Sequence, residues 1–131
     1  MLNAFMIKVI LDANFLIYCA ENKIDYAEGI MGIMEEGYEL VVPSLVVREL
    51  GDLSKSAKKL SDKDAAKLAL KLLEHNNVKT LYLRGKYADE AIIKLVKNEG
   101  SIVATLDAKL RKILRNSRKI VIEGKRKFAF E

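Results

Sequence analysis

Two periodicities alternate along this chain. Short apolar runs bounded by turn residues read as strands, and between them apolar residues recur at helical spacing. The first run, Ile7 to Leu11, reads as a buried strand of a parallel sheet. Phe15 to Glu21 is predicted as a helix with Phe15, Leu16, Cys19 and Ala20 inward. Asp25 is set to cap a second helix, Tyr26 to Glu36, which Gly37 ends. Glu39 to Val42 is the second strand, stopped by Pro43. Ser44 then suits the N-cap of a helix from Leu45 to Lys55. Ser61 or Asp62 opens the next helix, to about His75, with Ala65, Leu68, Ala69, Leu72 and Leu73 on one face. Lys79 to Leu83 is the third strand, Lys86 to Asn98 a helix closed by Gly100, and Ser101 to Thr105 the fourth strand. Ala108 to Leu114 is helical, and Lys119 to Ile122 is the fifth strand. Lys125 to Glu131 suits an edge strand or a loose tail.

Strands alternating with helices predict an α/β fold. The expectation is a three-layer α/β/α sandwich around a mostly parallel sheet of about five strands. Right-handed crossovers put helices on both faces, but the pattern does not reveal strand order. No linker, repeat or low-complexity stretch divides the 131 residues, so a single domain, 1–131, is expected, with a basic C-terminal tail at about 124–131. No apolar run is long enough to span a bilayer, and no signal-peptide pattern is evident. The lone cysteine, Cys19, fits a reducing compartment, so a cytoplasmic location is expected.

The net charge of +5 is uneven. After Asp107 come Lys109, Arg111, Lys112, Arg115, Arg118, Lys119, Lys125, Arg126 and Lys127, against only Glu123 and Glu131. This stretch suits either a solvated face or a phosphate-backbone footprint. Lys109, Arg111 and Arg115 are the candidate phosphate-backbone contacts, although charge alone does not separate nucleic acid from other anions.

Four acids stand out. Asp12 directly follows the first strand, and in open α/β sheets ligands bind beyond the carboxyl ends of the strands. Glu49 lies at the edge of the stripe formed by Leu45, Val46, Leu50 and Leu53. Asp89 flanks the face formed by Ala88, Ala91, Ile92, Leu95 and Val96, whereas Glu90 lies nearly opposite and four residues before Lys94. Asp107 follows the fourth strand. Each has an ordinary alternative: a helix cap for Asp12 and Asp107, an ion pair with Arg48 or Lys58 for Glu49, and a dipole contact for Asp89. Together they suggest one oxygen-rich site for Mg²⁺ or Mn²⁺. Asp12 and Asp107 are expected as direct ligands, and Glu49 and Asp89 as ligands directly or through water. Asn14 and Thr105 are candidate supporting groups. One histidine and one cysteine do not suit a zinc site, and no Gly-rich phosphate loop or nucleophile–histidine pair is present.

Ile10-Leu11-Asp12-Ala13-Asn14, Val46-Val47-Arg48-Glu49-Leu50, Ala88-Asp89-Glu90-Ala91 and Ala104-Thr105-Leu106-Asp107-Ala108-Lys109-Leu110 resemble the PIN-domain nucleases in order and spacing. Within them the chain looks most like archaeal rRNA-processing and VapC-type proteins. The resemblance implies Mg²⁺- or Mn²⁺-dependent cleavage of single-stranded RNA, with Asp12, Glu49, Asp89 and Asp107 at the family's acidic positions. It also implies an antitoxin or ribosome-assembly partner. Many members read Thr-Asn-Asp where this chain has Thr105-Leu106-Asp107, an apolar residue in place of a polar one. The alternative is a non-catalytic RNA-binding or scaffold domain of the same fold. A haloacid-dehalogenase-type phosphatase needs an Asp where Asn14 stands, and a receiver domain needs one near Leu81 to Arg84, where there is none. The broad apolar face of Ile30, Met31, Ile33 and Met34 suggests a homodimer.

Overall fold

The computed structural model describes residues 6–131. Its strands are β1 (Ile7–Leu11), β2 (Tyr38–Pro43), β3 (Lys79–Leu81), β4 (Ile102–Ala104), β5 (Lys119–Glu123) and β6 (Lys127–Phe130). Its helices are α1 (Ala13–Glu21), α2 (Tyr26–Ile33), α3 (Ser44–Ser56), α4 (Leu60–His75), α5 (Ala88–Glu99) and α6 (Ala108–Ile113). The sheet runs β3-β2-β1-β4-β5-β6, parallel except for the antiparallel β5–β6 pair.

Alternation along β1 separates two apolar layers. Val9 and Leu11 join Phe15, Leu16, Ile30, Val46, Leu50 and Ala69 on the α1–α4 side. Ile10 joins Ile92, Leu95, Val96, Leu110 and Leu114 on the α5–α6 side. This is the expected three-layer sandwich. The chain builds outward from β1 to β2 and β3, then α5 carries it back across to β4 on the other side of β1. With right-handed crossovers, that reversal moves the later helices to the opposite face. It also opens a crevice beyond the carboxyl ends of β1 and β4.

Several boundaries differ from expectation. Helix α2 stops at Ile33 rather than Glu36, and extended Met34, not Gly37, is its C-cap. Continuing would set Glu35 and Glu36 against the negative helix end; instead Glu36 pairs with Arg118 at 2.7 Å. Ser44 does not cap α3 through its side chain, since Pro43 is the N-cap position, and Ser44 Oγ instead accepts from Leu83 N at 3.3 Å. Strand β3 ends at Leu81, and α5 begins at Ala88 rather than Lys86. Gly100 closes α5 in the left-handed region (φ 70°), as expected.

The sheet has six strands rather than about five, because residues 127–130, part of the expected basic tail, form the edge strand β6. Reciprocal hydrogen bonds between Lys119 and Glu131, at 3.0 and 2.8 Å, extend its pairing with β5. Phe128 of β6 packs edge-on against Phe15 and lies over Gly29, where an added Cβ would come within 2.4 Å of the ring. Of the broad α2 face, Ile30 is core, Ile33 and Met34 pack against it, and Met31 is exposed. Cys19 is buried, and desolvation pushes its thiol pKa up to about 12. Among the described residues, no helix is long and apolar enough to cross a membrane.

Candidate active site

The crevice between β1 and β4 is built on a hydrogen-bond network around Asp12. This residue follows β1 directly, and its N–H donates to Ala104 O at 3.1 Å, which ties the two strand ends together. Its carboxylate is nearly buried, at 5 % exposure. Oδ1 accepts from Ala13 N at 2.9 Å, so the capping alternative is realised. Oδ2 accepts from the Thr105 hydroxyl at 2.7 Å. That hydroxyl also lies 3.3 Å from Asn14 Oδ1. It has one proton, and the shorter contact to a carboxylate takes it. The same oxygen accepts from Asp107 N at 3.1 Å. Thr105 thus connects the acid after β1 with the acid after β4.

Asn14 Oδ1 accepts from Leu106 N at 3.0 Å. The residue that departs from the Thr-Asn-Asp pattern therefore contributes to the network through its backbone, while its side chain packs against the core. Asp107 is the N-cap of α6, with Oδ1 accepting from Leu110 N at 2.7 Å. Its Oδ2 takes no hydrogen bond from the described residues.

Glu49 and Asp89 approach from α3 and α5. Both are solvent-exposed, and neither forms a salt bridge among the described residues. The ion pairs of Glu49 with Arg48 or Lys58 are thus not formed. Glu90 is also exposed.

The four acids lie near enough to perturb one another's charge. Burial raises the Asp12 pKa, as do the charges of Asp89 and Asp107, against the lowering effect of its hydrogen bonds from Thr105 and Ala13. Desolvation, then Asp12 and Asp89, raise Glu49. Desolvation, then Asp107, raise Asp89, and Lys109 opposes them. Each acid is therefore within electrostatic reach of at least two others. No three of the His, Cys, Asp and Glu side chains among the described residues stand close enough to form a ready metal cage. The donors are nonetheless all carboxylate oxygens that repel one another. Mg²⁺ commonly keeps several waters and takes only one or two carboxylates, and this donor set fits such a hydrated ion.

The basic stretch is less uniform than its sequence. Arg111 makes a bidentate pair with Glu131, Arg118 pairs with Glu36, and Arg126 donates to Asn22 O and Lys23 O. Lys119 is buried, with Nζ donating to Leu114 O and Ser117 O at 2.8 and 2.7 Å. Lys109 and Arg115 are exposed without salt bridges among the described residues. A cavity of about 450 Å³ is lined by Ala108, Arg111, Lys112, Arg115, Lys119 and Glu131. A second cleft, of about 310 Å³, has Glu49 in its wall together with Arg48, Lys86 and Tyr87. The sequence reasoning missed it; two tyrosines interspersed with basic residues, Tyr82, Arg84, Lys86 and Tyr87, were the available signal.

Comparison with known proteins places this arrangement in a family. Ribonuclease VapC4 of Methanocaldococcus jannaschii is 34 % identical over 125 residues, covering 94 % of this chain and 95 % of that protein. The solved structure of the PIN domain endonuclease Utp24 matches 95 % of this chain and 90 % of its own, with a TM-score of 0.76 and 25 % identity. A VapBC-1 structure from nontypeable Haemophilus influenzae covers 86 % of this chain and 96 % of its own, with a TM-score of 0.53 and 14 % identity, a likeness of fold alone. The family described as PIN like domain matches residues 9–127, which include all four acids, Asn14 and Thr105. The chain therefore belongs to the PIN-like domain family.

Proposed function

We propose that this protein is a divalent-metal-dependent endoribonuclease that cleaves single-stranded RNA at the β1–β4 crevice. One observation carries the reading: Asp12, Glu49 and Asp89 stand near enough to other carboxylates for desolvation and like charge to raise their pKa values, and no basic side chain is at salt-bridge distance from any of them among the described residues. An acidic cluster without a salt-bridge partner among the described residues, in a chain of net charge +5, suits a cation. The similarity to a ribonuclease and to an endonuclease supports the reaction class.

Asp12 and Asp107 would be the direct metal ligands, and Glu49 and Asp89 ligands directly or through water. When bound, Mg²⁺ or Mn²⁺ supplies Lewis-acid stabilisation of charge on the phosphoryl and leaving oxygens. The Thr105 hydroxyl and Ala13 N–H hold the Asp12 carboxylate in one orientation. Asn14 fixes the backbone before Asp107 through Leu106 N. Where Glu49 holds the metal through water rather than directly, its exposed carboxylate on α3 is placed to accept a proton from the attacking water. Water oxygen bonds to phosphorus as the bond to the leaving oxygen breaks. Lys109 and Arg115 contact the RNA backbone, and Arg111 does so once released from Glu131.

The setting is a cytoplasmic RNA with a protein partner. Similarity to Ribonuclease VapC4 suits an antitoxin-type partner, and a ribosome-assembly partner is the other setting that the sequence resemblance implies. One observation favours the non-catalytic RNA-binding alternative: no three potential ligand side chains among the described residues are already at metal-binding spacing. Cleavage of unstructured single-stranded RNA with Mn²⁺ or Mg²⁺ separates the two. Excess chelator and Asp12→Asn should each abolish it. RNA binding without cleavage under every metal condition would select the scaffold reading.

A further inference from the structure

We propose that the loop between β3 and α5 forms a nucleobase-stacking subsite, with Tyr87 as the stacking surface and Arg48 and Lys86 as phosphate contacts. The proposal rests on the ribonuclease reading and adds where a substrate strand leaves the acidic centre.

Because α5 begins only at Ala88, Lys86 and Tyr87 stay outside the helix and line the 310 Å³ cleft. Arg48 and Glu49 of α3 form part of the cleft wall, with Lys86, Tyr87 and Ala88. Glu49 belongs to the acidic cluster and Asp89 lies two residues beyond Tyr87, so the cleft adjoins the cluster through Glu49. Tyr87 is 59 % exposed, although aromatic side chains ordinarily contribute large buried areas. Its one aromatic or cation–π partner among the described residues is Lys86, with Nζ 5.8 Å from the ring centroid. Asp52 and Glu49 also line the cleft, and Arg48 and Lys86 balance them in number.

Along the loop, Tyr82, Arg84, Lys86 and Tyr87 are all exposed, mixing aromatic faces with cations. Surfaces that bind single-stranded nucleic acid combine cations that follow the backbone with rings on which bases stack. The bond from Leu83 N to Ser44 Oγ anchors the loop to the start of α3. The stacking surface is thus tied to the helix that carries Glu49.

The test is binding and cleavage of a short, unstructured, fluorescein-labelled RNA by wild type, Tyr87→Ala and Tyr87→Phe. Binding is measured in chelator and cleavage in Mn²⁺. Tyr87→Phe keeps the ring and should bind within about twofold of wild type. Tyr87→Ala should bind about 5- to 150-fold more weakly, the usual range for losing one stacked base. An abasic nucleotide moved along the RNA should weaken wild type at one position near the cut and leave Tyr87→Ala unaffected there. Circular dichroism melts verify that both variants fold. If wild type cleaves and Tyr87→Ala matches it in binding, the subsite is wrong while the ribonuclease reading stands. A loss for Tyr87→Ala that is equal on abasic RNA also overturns stacking. If wild type neither binds nor cleaves, the ribonuclease reading fails and takes the subsite with it. Unaltered RNA affinity alongside lost capture of a protein partner would reassign the loop to protein recognition.

Discussion

Thr105 and Asp12, 93 positions apart in sequence, share a 2.7 Å hydrogen bond inside the protein. The Thr105 hydroxyl also accepts from Asp107 N, so one oxygen sets both the carboxylate after β1 and the backbone after β4. Thr105→Val keeps the shape and removes both bonds. Leaving buried polar groups without partners costs about 1–3 kcal/mol, which should lower Tm by several degrees. Cleavage should fall about 10- to 100-fold, the usual range when a group supporting a metal ligand is lost. Thermal melts and initial rates check this, and wild-type activity in a folded Thr105→Val protein would deny the hydroxyl its orienting role.

Asp89 has a raised pKa, from desolvation first and Asp107 second, with Lys109 in opposition. In the metal-free protein its proton is held more tightly folded than unfolded. Its contribution is therefore most favourable below the ordinary value of 3.8 and is lost as pH rises through the folded pKa. Asp89→Asn removes that loss. Relative to wild type, the metal-free variant should gain stability across this rise, and Mn²⁺ should stabilise it less by ligand linkage. Melts at several pH values, with and without Mn²⁺, show whether this holds. A large loss of metal-free stability with an undiminished Mn²⁺ response would mark Asp89 as a structural carboxylate.

Lys109 and Arg115 are exposed without salt bridges among the described residues, in contrast to Arg111. Changing both to Ala should weaken RNA binding and flatten the log–log salt dependence by about 1.4, if each contacts one phosphate. Titrations over a range of salt concentrations measure the slope. A slope equal to wild type would return these residues to the role of a solvated face.

The strand-end acids were legible because the chemistry is local: an apolar run ends on Asp12, and another precedes Asp107. The three-layer architecture was legible from the alternation of strand and helix periods. Strand order was not, because it depends on α5 crossing back over β1 rather than continuing outward. Pairing of Arg111 with Glu131 was hidden for a similar reason, since it depends on the β5–β6 hairpin returning residue 131 to α6. Ser44 precedes a helix as a cap would, but its hydroxyl serves Leu83 N, a long-range demand that local pattern does not record. Tyr87 lies in a loop without helical or strand periodicity, and the mixing of Tyr82 and Tyr87 with Arg84 and Lys86 was the one signal there.

Gly29 is needed for close approach. An added Cβ would come within 2.4 Å of the Phe128 ring, which is itself held edge-on against Phe15 at 5.9 Å between centroids. Alanine improves helix propensity by about 1 kcal/mol, while overpacking of this kind costs about 1–3 kcal/mol. Gly29→Ala should therefore lower Tm modestly, and Gly29→Ala with Phe128→Leu should recover part of the loss. A stabilised single variant would mean that β6 moves away from α2 at little cost.

Leu106 tests whether the departure from the Thr-Asn-Asp pattern weakens the site. Its side chain is half-buried against the core of the α1–α4 side, and its N–H donates to Asn14 Oδ1. The part that residue 106 plays in the Asp12 network is thus a backbone hydrogen bond, which any residue except proline supplies. Leu106→Asn should keep that bond and lose apolar packing. The cost should be about 1–2 kcal/mol, from reduced burial and an amide moved partly out of water. Well below the melting temperature, cleavage should then stay within a few-fold of wild type, and Mn²⁺ should raise Tm equally in both proteins. Melting curves and single-turnover cleavage rates of the pair are the measurement. A tenfold faster Leu106→Asn enzyme would show that a polar side chain at this position acts on the reacting groups, and that the hydrogen bond from Leu106 N is only part of what the position can contribute.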